Sequence, residues 1–211
     1  MNTRLRQASL IVATFVALLW LIEILDRMLG LGLYRFGVFP ANLHGLWGIL
    51  FAPLIHGSWN HLGSNSFALL ILGSALLYGY PRAARPALLF IYFLSGIGVW
   101  LFARQSYHFG ASGLTHGMMF FIFTTGILRG DRLSIALSLI VFFLYGGMVW
   151  TIFPQEAGIS YESHFFGAAA GVVAAFLFRD RDPLPPVKTY DWEGGQDADA
   201  DADPASEAGK D

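Results

Sequence analysis

The chain has 211 residues, of which 55% are hydrophobic and only 13% charged, a composition that excludes an ordinary soluble domain. Its mean hydropathy of +0.53 points the same way, towards an all-α integral membrane protein. The formal net charge of -2 is confined to loops and tails, and the absence of cysteine excludes a disulfide framework, thiolate chemistry and cysteine-held metal.

After a short N-terminus over 1–7, six apolar stretches follow in chain order, at about 8–25, 62–79, 86–103, 112–128, 133–153 and 163–178. Each approaches the roughly 20 residues that cross a bilayer, with shorter ones allowed when helices tilt or stop inside a bundle. A cleavable signal peptide competes for the first stretch, but no small-residue cleavage site follows Leu25 and the run is long for a signal sequence. Residues 26–61 form a long connection rich in Gly, Pro and aromatics, "GLGLYRFGVFPANLHGLWGILFAPLIHGSWNH". It is too apolar for a solvated linker and is expected in or on the outer leaflet, with Trp47 and Trp59 at headgroup level. The fourth stretch is the weakest, short and opening on polar and small residues in "FGASGLTHGMMFFIF". After Asp180 the chain becomes "RDPLPPVKTYDWEGGQDADADADPASEAGKD", whose Pro, Ala and acidic residues cannot bury a core, so 180–211 reads as a disordered acidic tail.

Orientation follows from the basic residues. Arg4, Arg6, Arg82, Arg85, Arg129, Arg132, Arg179, Arg181, Lys188 and Lys210 fall on one side, and only Arg27, Arg35 and Arg104 on the other. Ten against three puts both termini in the cytoplasm, in a multi-pass cell-membrane protein.

With that topology the second, fourth and sixth helices run inwards, and their N-termini lie at one depth. The polar residues of the membrane domain gather there: His61 and Asn65, Ser112, and His164. Polar groups in membrane segments are expensive and face a bundle interior or water. Ser112 and His164 suit a nucleophile and its general base, because a hydroxyl attacks poorly until a neighbouring imidazole takes its proton. Gly113 and Gly117, and Gly167 and Gly171, give their two helices the small-xxx-small spacing that lets backbones approach. A carboxylate to complete a triad is hard to find: Glu162 is two residues from His164 on another face, Glu156 is in a loop, and Glu23 is on the first helix. A Ser-His dyad is therefore expected. His61 and Asn65, four apart, share a helix face and can both donate hydrogen bonds to a developing oxyanion, as can the N–H groups at the start of a helix.

On "HGSWNHLGSN", "GASG" and "HFFGAAAG" the chain resembles the bacterial rhomboid intramembrane serine proteases over the six-helix core, roughly residues 8 to 179. The resemblance implies a six-transmembrane-helix bundle with a long membrane-associated first loop, and hydrolysis of peptide bonds in or near transmembrane segments of protein substrates. Ser112, in a G-x-S-G motif with Gly110 and Gly113, would be the nucleophile and His164 the base, with Gly167 and Gly171 matching glycines of the last helix. Asn65 and His61, in H-x-x-x-N, would form the oxyanion hole with the Ser112 backbone N–H. His56 matches a further histidine of the family, with a structural role in tying down the first loop.

Two positions depart from the family pattern. Family members often carry a Trp-Arg pair in the first loop, whereas Trp47 is followed by Gly48. The position four after the nucleophile, commonly an aromatic packed on the catalytic histidine, is His116, which could stack in the same way. His44 and His108 read as loop or interfacial histidines, and Trp100, Tyr107, Trp150 and Tyr161 as belt and lipid-facing residues. A haem or ion carrier would account for His61, His116 and His164 but leaves Ser112 and the paired glycines without a purpose. A zinc protease would need a motif such as H-E-x-x-H, which is absent. A helix-binding relative without activity would not need Ser112 and His164. No metal or organic cofactor is implied, and nothing basic and aromatic-interleaved suggests nucleic acid.

Overall fold

The computed structural model describes residues 3–154 and 160–184; Glu156 and the acidic tail beyond Leu184 lie outside the described residues. Ordered structure among the described residues is helical apart from one antiparallel bridge between Val38 and His108. Helix α1 (Thr3–Leu29) extends beyond the apolar run at both ends. At its far end Glu23 and Arg27, one turn apart, pair at 2.6 Å, and Gly30 then stops the helix with φ +62°, a conformation glycine adopts without steric penalty.

The first connection folds back over the bundle as 3-10 turns and a short helix, α2 (Trp47–Phe51). Ser58 then starts α3 (Trp59–Ala68), its hydroxyl accepting the His61 amide at 3.1 Å. A π turn at Leu69–Gly73 carries the chain into α4 (Ser74–Gly79), and the composite is 21 residues long. Helices α5 (Ala84–Phe102), α6 (Ser112–Arg129), α7 (Arg132–Tyr145) and α8 (Tyr161–Phe178) complete the bundle. The chain after α7 tightens at Gly146 and Gly147 into a 3-10 segment, Gly146–Ile152, so the fifth apolar stretch is α-helical only as far as Tyr145. Side-chain caps set the later starts: Asp131 accepts the Ser134 amide at 3.2 Å and Ser160 accepts the Ser163 amide at 3.3 Å.

Five of these helical stretches are long and apolar enough to cross a membrane: Thr3–Leu29, Trp59–Gly79, Ala84–Phe102, Arg132–Ile152 and Tyr161–Arg181. Helix α6 is the sixth long helix and the least lipid-like, because it lies inside the bundle with eleven of its eighteen residues buried. A helix shielded from lipid can bury Thr115, His116 and Thr125 in the bundle interior. The outward faces of α1 and α7 show the converse, with Ile11 and Phe143 exposed to the surroundings.

Helices α6 and α8 cross backbone to backbone. A Cβ on Gly167 would strike the Gly113 carbonyl, one on Gly171 the Gly117 carbonyl, and one on Gly117 would come within 3.0 Å of the Gly167 oxygen. The contact lies one turn below Ser112 and His164, so the glycines set the distance between the two helix starts.

The opposite ends of these helices are clasped. The buried Arg129 guanidinium donates to the Arg179 and Asp182 carbonyls at 2.6 and 2.8 Å, and the Asp182 carboxylate accepts the Arg82 and Ala83 amides at 2.9 Å each. At the site end, the first loop is tied to the loop between α5 and α6: Val38 and His108 exchange backbone bonds at 2.8 Å, and the Gly110 amide donates to the Ala52 carbonyl at 2.8 Å.

Candidate active site

A cavity of about 700 Å³ opens at the N-terminal ends of α3, α6 and α8. His61 and Asn65 line it from α3, Ser112 and His116 from α6, and His164 from α8, with Thr151 contributed by the 3-10 segment after α7. The four polar residues read from three helix starts are thus brought together, and His116 joins them.

Ser112 is the first residue of α6, one position after the capping residue Ala111. Its carbonyl accepts the Thr115 hydroxyl at 2.9 Å and the His116 ring at 2.7 Å. Its half-buried hydroxyl makes no hydrogen bond to another described residue. Gly110, two residues earlier, has φ +117°, and a Cβ there would lie 2.5 Å from His61 Cε1. Both the strained backbone and the contact require glycine.

His164 Nδ1 lies 3.0 Å from the Thr151 carbonyl oxygen. A carbonyl only accepts, so Nδ1 carries the ring proton and Nε2 is left with its lone pair. The ring is sandwiched against His116, centroids 4.0 Å apart and planes 9° from parallel.

Asn65 is 5% exposed and its Nδ2 has no hydrogen-bond partner among the described residues. A buried amide donor left free at a cavity wall costs about 1–3 kcal/mol unless something else accepts from it. Neither His56 ring nitrogen has a hydrogen-bond partner among the described residues. The ring packs edge-on against His61, centroids 5.1 Å apart, and burial, then the neighbouring His61, lowers its pKa to about 4.

His108 is a buried loop residue with a definite task that its sequence context did not signal. Its Nε2 donates to the Arg104 carbonyl at 2.9 Å, so its Nδ1 accepts from the Ser160 hydroxyl at 2.6 Å, and Ser163 completes the chain at 2.7 Å. Burial lowers the His108 pKa and keeps the ring neutral. The chain fixes the first turn of α8, where His164 sits. Glu162 is buried and pairs with the Arg104 guanidinium at 3.4 Å. Among the described residues no cluster of three or more metal-ligating side chains is present.

A profile of the family described as the Rhomboid domain matches residues 43–181, from the first loop through the end of α8. The chain belongs to the rhomboid family. Rhomboids are intramembrane serine proteases as a family, and the helical bundle with several membrane-length helices is the architecture such a protein needs. The chain is 40% identical over 176 residues to an uncharacterised protein of Mycobacterium tuberculosis, covering 79% of this chain and 73% of that one. It is 33% identical over 188 residues to an uncharacterised protein of Mycobacterium leprae, covering 83% and 74%. A protein of Acanthamoeba polyphaga mimivirus, named provisionally as a rhomboid protein, is 32% identical over 145 residues, covering 64% of this chain and 75% of its own.

The first-loop departure of this rhomboid has a steric cause. A Cβ on Gly48 would strike the backbone of Gly37 and Val38, which crosses directly over it. No arginine fits there, and the loop is held instead by Trp100 Nε1 donating to the Asn42 carbonyl at 2.9 Å and by the Val38–His108 bridge.

Proposed function

We propose that this rhomboid is an active serine endopeptidase that hydrolyses peptide bonds in or near the transmembrane segments of membrane-protein substrates, using Ser112 as nucleophile and His164 as general base. One observation carries the reading: Ser112 and a His164 whose Nδ1 proton is held by the Thr151 carbonyl share a cavity with the unpartnered Nδ2 of Asn65. A base with its Nε2 lone pair free, near a nucleophile and an amide donor for an oxyanion, is the set of roles acyl transfer needs.

The Ser112 oxygen attacks the scissile carbonyl carbon while His164 Nε2 takes the hydroxyl proton. The resulting oxyanion is met by Asn65 Nδ2, by His61, and by the Ser112 N–H at the positive end of α6. The imidazolium returns its proton to the leaving amine, giving an acyl-enzyme. Water, deprotonated by the same Nε2, then releases the acyl product and restores Ser112. Among the described residues His164 has no carboxylate partner, and its orientation comes from the Thr151 carbonyl and the His116 ring.

Helix α6 has 18 residues, about 27 Å at 1.5 Å per residue, so with Arg129 at the membrane surface its first residue lies just within a hydrocarbon layer of about 30 Å. The distribution of Lys and Arg supports both termini in the cytoplasm and a site opening to the external side of the cell membrane. A regular helix hides its carbonyls in internal bonds, so the substrate must present an extended strand, and small or helix-weakening residues near the cut favour cleavage.

The test is cleavage of a single-span membrane substrate by purified protein in liposomes, with Ser112→Ala and His164→Ala as comparisons. The reading expects cutting by the wild type and none by either folded variant; cutting that survives Ser112→Ala overturns it.

A further inference from the structure

The residue that joins the two stacked histidines is Thr151, and it does so with both of its polar groups. Its carbonyl oxygen accepts from His164 Nδ1 at 3.0 Å, while its hydroxyl lies 2.8 Å from His116 Nε2. His116 Nδ1 in turn lies 2.7 Å from the Ser112 carbonyl. The chain therefore runs from the backbone of the nucleophile through His116 to Thr151 and back to the base.

Proton positions in this chain are constrained by chemistry. The Ser112 carbonyl can only accept, so a neutral His116 has its proton on Nδ1, and Nε2 must accept from the Thr151 hydroxyl. The same hydroxyl is 2.8 Å from the Met148 carbonyl, an alternative acceptor. Turning the hydroxyl to Met148 would leave Nε2 of a neutral His116, 97% buried, facing only an oxygen lone pair. The Ser112 carbonyl thus selects the Nδ1-protonated tautomer, and the threonine hydroxyl satisfies the remaining Nε2 lone pair and holds the ring in that orientation.

We propose that Thr151 is a positioning residue for catalysis, acting through its hydroxyl on His116, whose ring then holds His164 in register with Ser112. This inference rests on Ser112 and His164 being the reacting pair. An aromatic carbocycle at position 116 would stack by shape alone. Histidine, with two polar ring edges to satisfy, needs the hydroxyl that the 3-10 segment after α7 supplies. The consequence is a link between the conformation of Gly146–Ile152 and the competence of the base.

Four proteins test it in liposomes: wild type, Thr151→Val, Thr151→Ser, and Thr151→Val in a His116→Phe background. Valine keeps the size and the backbone carbonyl, so it removes only the hydroxyl. Thr151→Val is expected to lower kcat about fivefold with KM changed less than about twofold, and Thr151→Ser to restore kcat to within about twofold. In the His116→Phe background the same valine should lower kcat by less than about twofold, because the hydroxyl no longer has a ring nitrogen to hold. An unchanged kcat in Thr151→Val, or an equal loss in both backgrounds, overturns the proposal. A readout independent of cleavage is the nitrogen-15 spectrum of the histidine rings. Thr151→Val should shift His116 Nε2 and leave His164 Nδ1 in place, and an unmoved His116 Nε2 overturns the proposal whether or not the protein cuts. Inactivity of the wild type, or cleavage surviving Ser112→Ala, would remove the reacting pair on which the catalytic half of the proposal rests, and the ring spectrum would then decide only whether the Thr151 hydroxyl holds His116.

Discussion

The imidazole of His116 lies flat against that of His164, with ring centroids 4.0 Å apart and planes 9° from parallel. In the proposed mechanism His164 must become a cation without swinging away from Ser112, and a flat neighbour restricts its rotation. His116→Phe keeps the flat face while losing the bonds to Ser112 and Thr151, and should lower kcat by about three- to tenfold. His116→Ala removes the face and leaves a void beside the base, and should lower it at least about tenfold further. The check is kcat of both variants on one substrate at saturating concentration, with folding confirmed by thermal unfolding in detergent.

The crossing of α6 and α8 predicts a steep dependence on side-chain size at Gly167 and Gly171. A methyl group on either would strike a carbonyl of α6 rather than a movable side chain. Gly167→Ala and Gly171→Ala should each destabilise the protein by about 1–3 kcal/mol and reduce cleavage, because separating the helices separates Ser112 from His164. Gly63 is the internal comparison: nothing lies within 4 Å of a Cβ there. Gly63→Ala lies inside helix α3 and should be neutral or stabilise by up to about 1 kcal/mol. Unfolding midpoints of the three variants measure the contrast.

Much of this arrangement could be read from the chain. The apolar runs and their Ser and Asp caps are local signals, and alternating helix direction is enough to bring His61, Asn65, Ser112 and His164 to one level. What could not be read depends on groups that leave no pattern. Thr151 sits in "GGMVWTI" with no motif around it, and half of its role belongs to a backbone carbonyl, which every residue has. His108 and Ser160 are 52 residues apart and Arg104 and Glu162 58 apart, so their pairing exists only once α5 and α8 are packed. The end of the α-helical part of α7 at Tyr145 was hidden by an apolar run that continues through Gly146 and Gly147.

His56 gives the protein a stability that depends on pH. Its folded pKa is lowered from 6.5 to about 4 by burial and then by His61. Between those values the unfolded chain binds a proton that the folded protein does not, so stability is complete above about pH 6.5 and is lost as pH falls towards 4. His56→Leu removes this dependence, and the loss of stability between pH 6.5 and 4 should be smaller than in wild type by on the order of 3 kcal/mol. The slope from His108 is shared by both proteins and cancels in the difference. Chemical unfolding of the two proteins at several pH values in detergent gives the comparison; parallel curves would show that His56 is protonated in the folded state or exposed.

The clasp at the far end of α6 separates stability from catalysis. The Asp182 carboxylate is the acceptor for two amides at the start of α5, and Ala83, one of the two donors, is fully buried. Asp182→Ala leaves both donors without that partner and should destabilise by about 1–3 kcal/mol. Asp182→Asn keeps one acceptor oxygen and loses the negative charge at a helix N-terminus, so its loss should be smaller, about 1 kcal/mol. Arg129 would still hold the Arg179 and Asp182 carbonyls, which any residue at 182 supplies, so α6 and α8 stay joined in both variants. Ser112 begins α6 and Arg129 ends it, seventeen residues and about 25 Å away along the helix. Well below the unfolding midpoint, kcat should therefore remain within about twofold of wild type in both variants while the midpoint falls. A tenfold fall in kcat at an unchanged midpoint would mean instead that the clasp is coupled to the site along α6.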